Sequence, residues 1–285
     1  MNMNEVSIVT AECMGFCGGV KRAMQLFQEA LENRRGEAVY VLHELVHNRT
    51  VTKEMEAAGA VFVESPGEIP CGSTVLIGAH GIAIEVEEEL RLRAGRLIDA
   101  TCPLVKQVQA AAASLSADEE LVFHGMAGHP EAVGILSRAG TPHCFVVNGP
   151  EDAAALPELH KPALLAQTTL NHLETDAVFQ ALRERFPGCR RLGAICRASF
   201  ERQSAVEKLV PQVEALVVIG SAHSSNANRL MEIGRAGGIP AWLVDDAAKL
   251  PPELGTFSKI GVSAGASTPS AQIESIISAI RRMYE

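Results

Sequence analysis

The 285-residue sequence predicts an α/β protein of parallel sheets covered by helices, and three observations predict it. Short apolar runs alternate with amphipathic stretches along the whole chain, the pattern of repeated βα units. A strand–loop–cysteine–helix pattern occurs three times, dividing the chain into comparable pieces. Hydrophobic residues make up 47% of the chain, enough at this length for a sizeable core.

Strands are expected at 6–11 (VSIVTA), 38–42 (AVYVL), 73–79 (STVLIGA), 120–125 (ELVFHG), 163–167 (ALLAQ), 215–220 (ALVVIG), 241–246 (AWLVDD) and 259–265 (KIGVSAG). Each is an apolar run too short for a typical buried helix and bounded by turn or polar residues. Between them, 20–33, 105–115, 204–216 and 226–237 carry helical patterns.

The repeat divides the chain into 1–100, 101–195 and 196–285. Its copies are SIVTAECMGFCGGVKRAM around Cys17, RLIDATCPLVKQVQAA around Cys102 and RLGAICRASFERQSAVEKL around Cys196. Three units related by pseudo-symmetry would bring three strand-end cysteines into a central cleft. Ligands of α/β sheets bind at the carboxyl ends of strands, where these cysteines lie.

A net charge of -9 argues against a nucleic-acid or anionic-membrane partner. No stretch approaches the ~18 apolar residues of a membrane helix, and the start MNMNEVSIVT lacks a basic n-region and a long apolar h-region. A cytoplasmic protein is expected. Its seven cysteines should then be reduced, for metal binding, catalysis or plain burial. Cys71, Cys144 and Cys189 lack a matching strand–loop–helix setting and are read as structural or incidental. Cys13-x-x-x-Cys17 is similar to the start of a radical-SAM cluster motif, but no third cysteine follows two residues later, so Cys13 is assigned no ligand role.

Several apolar runs empty into HELVHN, GAHG, HGMAGHPE, QTTL, GSAHSSN and GAST, loops rich in uncharged donors and histidine. Such loops suit an anion, above all where they open helices. HELVH at 43–47 matches the zinc-peptidase pattern, but that motif works only on a helix and here follows a strand-like run. A zinc hydrolase using His43, Glu44 and His47 is the rival reading. Structural zinc usually takes four protein ligands, and four cysteines usually hold a [4Fe–4S] cluster. Three cysteines leave one iron open to act as a Lewis acid, so a reductase or redox lyase acting on a hydroxylated anion is indicated.

GFCGGVKRA (15–23), HELVHN (43–48), AHG (79–81), DATCPLV (99–105), GHPE (128–131), QTTL (167–170), RQ (202–203), SSNANRL (224–230) and AGAS (264–267) together resemble the motif series of the 4-hydroxy-3-methylbut-2-enyl diphosphate reductase family, the last enzymes of the non-mevalonate isoprenoid pathway. The resemblance implies a trefoil-like assembly of three small α/β domains, pseudo-threefold around a central [4Fe–4S] cluster. It implies reductive removal of an allylic hydroxyl, giving isopentenyl and dimethylallyl diphosphate. By position it implies Cys17, Cys102 and Cys196 as cluster ligands. His47, His80, Ser224, Ser225, Asn226 and Ser267 then hold the diphosphate, and His129 contacts substrate. Glu131 delivers protons and Thr168 relays them. A ferredoxin- or flavodoxin-type electron donor is implied, with a monomer or homodimer as the assembly.

Elementary chemistry agrees with these roles. A carboxyl in a water-poor cleft beside an anion gains proton affinity, which suits Glu131 as a general acid. Glu131 could instead cap the helix that begins after His129-Pro130, and Ser224 or Ser225 could cap the helical pattern over 226–237. His124, His143, His160 and His172 match no family site and are read as surface or satisfied core residues. Met126, Ser199 and His223 differ from residues common in the family, which leaves open a paralogue reducing a different allylic or oxygenated substrate.

Overall fold

The computed structural model describes residues 6–34, 36–193 and 195–285. The strands are β1 (Ser7–Thr10), β2 (Val39–Leu42), β3 (Ala60–Val63), β4 (Thr74–Ile77), β5 (Arg96–Asp99), β6 (Glu120–His124), β7 (Cys144–Val147), β8 (Pro162–Ala166), β9 (Arg190–Arg191), β10 (Ala215–Ile219), β11 (Ala241–Val244) and β12 (Lys259–Ala264). The helices are α1 (Gly18–Glu32), α2 (Arg49–Ala58), α3 (Ile84–Arg93), α4 (Pro103–Ala113), α5 (Pro130–Leu136), α6 (Pro150–Ala155), α7 (His172–Arg185), α8 (Arg197–Leu209), α9 (Ser225–Ala236) and α10 (Ser270–Arg282). Among the described residues no helix is long and apolar enough to cross a membrane.

The strands form three four-stranded sheets, β3-β2-β4-β5, β7-β6-β8-β9 and β1-β12-β10-β11, and every strand pair is parallel. The α/β class read from the sequence is therefore observed. All three sheets share one order, in which the second strand lies beside the first, then the third, then the fourth. The third sheet completes that order by borrowing its fourth strand from the N-terminus, since β1 pairs with β12 in the register Ser7↔Lys259 to Thr10↔Val262.

This differs from the linear division at 100 and 195. Residues 7–10 complete the C-terminal sheet, not the one formed by residues 39–99. The repeating unit is thus circularly offset. Each sheet closes on the strand that leads to a cysteine, and for α4 and α8 the helix that follows the cysteine covers the next sheet. After Cys102, α4 packs Val108 and Ala112 against Leu121 and Phe123 of β6. After Cys196, α8 packs Ala205, Val206 and Leu209 against Leu216 and Val218 of β10.

Burial on both faces explains the apolar runs. In β10 every residue is buried, with Leu216 and Val218 facing α8 and α9. Ala215, Val217 and Ile219 meet Ile273, Ile276 and Ile280 of α10 on the other face. Near-continuous Val, Ile and Leu is the pattern of a parallel strand covered on both sides. The helix expected over 204–216 stops earlier: α8 ends at Leu209, and a 3-10 turn at Val210–Gln212 leads into β10. Pro211 explains the break, since its nitrogen cannot donate and its ring clashes with the preceding turn.

The chain divides into two compact units. One gathers the described residues of Met1–Val20, His47–Glu54 and Arg197–Glu285 and holds the β1-β12-β10-β11 sheet. The other, Lys21–Val46 and Met55–Cys196, holds the remaining two sheets.

Candidate active site

In each sheet the polar motifs follow the first, third and fourth strands. After β2, β4 and β5 come HELVHN, GAHG and Cys102. After β6, β8 and β9 come HGMAGHPE, QTTL and Cys196, and after β10, β12 and β1 come SAHSSN, GAST and Cys17. These strands are neighbours in every sheet, so their loops share its carboxyl edge, where α/β proteins hold ligands. The second strands, β3, β7 and β11, carry none of the motifs.

The hydrogen bonds repeat as well. The Cys102 N–H donates to Ala79 O at 2.9 Å, the Cys196 N–H to Thr168 O at 2.9 Å, and the Cys17 N–H to Ala266 O at 3.1 Å. Each cysteine is therefore pinned to the loop after its sheet's third strand. Each also immediately precedes a helix, at Gly18, Pro103 and Arg197. Helix N-termini direct N–H groups and partial positive charge at what precedes them, which suits an anionic ligand. The Val20 N–H reaches Cys17 Sγ at 3.4 Å. The other four cysteines open no helix. Cys71 and Cys144 are exposed, Cys189 is buried, and Cys13 is half-buried against the core beneath α8. Burial pushes the Cys144 and Cys189 thiols up.

In the two-sheet unit, Glu131 is 1% exposed on the first turn of α5. It does not cap that helix. His129 does, its Nδ1 accepting from the Glu131 N–H at 3.1 Å. The Glu131 carboxylate instead accepts the Thr168 N–H at 2.6 Å. Glu131, Thr168 and Cys196 thus lie on one hydrogen-bonded run. His80 meets the His129 ring edge to face, with centroids 5.3 Å apart. The Cys102 loop is braced by Arg22, which donates to Thr101 O at 3.2 Å and Asp99 O at 3.4 Å. Burial raises the Asp99 carboxyl, but Lys106 at 2.5 Å and the Thr101 donors outweigh it and hold the group below its usual range.

In the other unit, Ser224 is the N-cap of α9, accepting the Ala227 N–H at 3.3 Å, and Ser225 is the first helical residue. Asn226 is 3% exposed, and its Oδ1 accepts the Ala266 N–H at 3.1 Å. Its Nδ2 is buried and has no acceptor. The Ser267 hydroxyl donates to His47 O at 3.0 Å.

HELVH forms no helix, since α2 begins only at Arg49 and His43 has a left-handed φ of 56°. A zinc-peptidase arrangement needs both histidines on one helical face, so that reading is corrected. His124 is a satisfied core residue: its Nε2 lies 3.3 Å from Asn148 O and its Nδ1 3.2 Å from the Thr175 hydroxyl. His143 and His160 are exposed and His172 is half-buried.

One candidate position escaped the sequence. The carbonyls that accept from the cysteines belong to Ala79, Thr168 and Ala266, and the residues after them are His80, Thr169 and Ser267. Thr169 therefore occupies the position of His80 and Ser267, and its hydroxyl accepts from Gln167 Nε2 at 3.2 Å. The pair of adjacent threonines in QTTL hid this equivalence, which only the register of the cysteine bonds reveals.

Close backbone approach sets the loops in place. A Cβ on Gly78 would lie 2.4 Å from Glu44 O, so the GAHG loop abuts the HELVHN loop without a side chain between them. Gly78→Ala is expected to lower stability by about 1–3 kcal/mol, by the cost of overpacking a tight contact. Thermal unfolding checks this, and an unchanged midpoint would mean the contact yields freely.

Residues 8–281 match the family model described as LytB protein. The 4-hydroxy-3-methylbut-2-enyl diphosphate reductase of Tolumonas auensis is 41% identical over 98% of this chain and 92% of its own length. The solved E-1-hydroxy-2-methyl-but-2-enyl-4-diphosphate reductase from Plasmodium falciparum aligns with a TM-score of 0.88 at 29% identity, over 96% of this chain and 87% of that one. A second solved structure, of (E)-4-hydroxy-3-methyl-but-2-enyl diphosphate reductase, the terminal enzyme of the non-mevalonate pathway, aligns with a TM-score of 0.67 at 34% identity, over 97% of this chain and 99% of that one.

Proposed function

The chain belongs to the LytB protein family, and on that premise we propose that it reduces 4-hydroxy-3-methylbut-2-enyl diphosphate to isopentenyl and dimethylallyl diphosphate. The observation that carries the reading is the threefold recurrence of a cysteine at a fourth-strand end, pinned by its N–H and followed at once by a helix. Cys17, Cys102 and Cys196 are the proposed ligands of a [4Fe–4S] cluster. The donor set fits: three thiols, each at the N-terminal end of a helix, and no fourth cysteine in the same setting among the described residues. When bound, such a cluster supplies electrons one at a time and an open, Lewis-acidic iron.

The remaining chemistry falls to side chains. His47, His80, Ser224, Ser225, Asn226 and Ser267 are the proposed donors to the diphosphate. An unpartnered buried amide N–H costs about 1–3 kcal/mol, and an anionic oxygen at Asn226 Nδ2 would remove that cost. His129 accepts at Nδ1, so its neutral ring carries hydrogen on Nε2 and can donate from there to substrate. Glu131, whose Oε1 accepts the Thr168 N–H, is the proposed source of the delivered proton. Thr168, whose backbone N–H meets that carboxyl, is the proposed relay through its hydroxyl. Two electrons and two protons enter, one C–O bond breaks, one C–H bond forms and water leaves. A ferredoxin- or flavodoxin-type protein supplies the electrons.

The test is an anaerobic assay of the cluster-loaded protein with 4-hydroxy-3-methylbut-2-enyl diphosphate, following oxidation of reduced methyl viologen. Turnover to the two five-carbon diphosphates is the expected result. A loaded cluster with no turnover overturns the substrate assignment and points to a different allylic or oxygenated substrate.

A further inference from the structure

Arg202 is 3% exposed in the middle of α8, yet its visible acceptors are backbone carbonyls. Nη1 donates to Ala198 O at 2.7 Å and Nη2 to Gly15 O at 2.5 Å, while the buried Nε has no acceptor. Among the described residues no carboxylate pairs with it. A guanidinium removed from water without a counter-ion is strongly unfavourable, and such a group persists where an anion balances it.

Arg202 also breaks the repeat. It stands six residues beyond Cys196, each cysteine directly preceding its helix. The equivalent positions beyond Cys17 and Cys102 are Ala23 and Val108, both buried and apolar. The fold therefore accepts a neutral side chain there in two of three copies, and a charge has been placed in the third. Gly15, which it grips, lies two residues before Cys17. At ~3.5 Å per residue, the guanidinium is within about 10 Å of the Cys17 backbone.

We propose that Arg202 is a positioning residue and the buried counter-charge of the anionic cluster on its Cys17 side, holding the Cys17 loop through Gly15 O and favouring electron uptake. This rests on the reading of Cys17, Cys102 and Cys196 as cluster ligands. A unit charge at about 10 Å, in a medium of effective dielectric about 20, changes a redox equilibrium roughly tenfold. For a one-electron couple that is about 59 mV.

The experiment is a potentiometric titration of the cluster-loaded wild-type, R202M and R202K proteins, followed by electron paramagnetic resonance, with iron per chain measured on each sample. R202M is expected to hold a cluster that is about tenfold harder to reduce, and R202K to lie within about twofold of wild type. An unshifted midpoint in R202M overturns the assignment, as does a shift in R202K equal to that in R202M, which would make the role one of geometry alone. Should R202M not fold, R202K decides: a near-wild-type midpoint upholds the role of the charge, and a tenfold loss overturns it. A wild-type protein that takes up no cluster overturns the reading of the cysteines and this inference with it, whereas the other negative outcomes leave that reading standing.

Discussion

Cys102→Ser is expected to yield a folded, colourless protein with no measurable reductase turnover. The proposed cluster has three protein ligands, so losing one thiolate leaves only two, and serine is a poor ligand for iron of this type. Misfolding is the usual confounder, and the position of Cys102 removes it. Cys102 is the N-cap of α4, with φ −56° and ψ 134°, and serine is among the best N-cap residues. The helix start should therefore be at least as stable in the variant. Iron and sulfide per chain should fall from about four to less than about one, while far-ultraviolet dichroism and the thermal midpoint of the apo proteins stay unchanged. Cys71→Ser and Cys144→Ser, at exposed positions that open no helix, should keep both colour and iron. A C102S protein with full iron content would sink the assignment of this ligand.

What the sequence disclosed follows from where physical constraint is strong. All eight expected strands lie on observed strands, because a parallel strand covered on both faces must be apolar throughout, as β10 is. β3 and β7 were missed. Both are four-residue strands at sheet edges, and each contains an exposed residue, so their burial signal is weak. Helix α3, IEVEEELRLR, has charges all round and one buried residue, so it reads as a solvated stretch. The partnership of β1 with β12 was invisible for another reason. Parallel register is set by tertiary packing some 250 residues away, and nothing local in SIVT names its neighbour.

The site divides along the same line. The three cysteines were legible because an apolar run before each and a helical pattern after each are local signals. Arg202 was singled out only as part of RQ at 202–203, and its burial was not legible, because a charged residue in a helix is solvent-facing by default and only the folded chain shows it buried. Glu131 was found but its alternative as a helix cap was not decidable from spacing. It took the bond from His129 Nδ1 to the Glu131 N–H to assign the cap to the histidine and free the carboxylate for Thr168.

That geometry makes Glu131→Gln the most informative change at the site. Glutamine keeps the shape of the side chain and an Oε1 that can still accept the Thr168 N–H, so the loop carrying Thr168 and the bond from Cys196 should hold. What it loses is the proton that Glu131 is proposed to deliver. General acid catalysis contributes about 10²–10⁴-fold, so kcat should fall by that factor while iron content stays at the wild-type level. KM should move little, because the proposed diphosphate donors are untouched. Thr168→Val separates relay from acid: it removes the hydroxyl but retains the backbone N–H that orients Glu131, so a smaller loss in kcat is expected. Steady-state assays with reduced methyl viologen measure both. A fall of less than about tenfold in E131Q would show that protons reach the substrate another way, and the hydrogen-bonded run from Glu131 through Thr168 to Cys196 would then be architecture alone. A fall of the expected size with full iron content would tie proton delivery to that run, since the substitution leaves its backbone bonds in place.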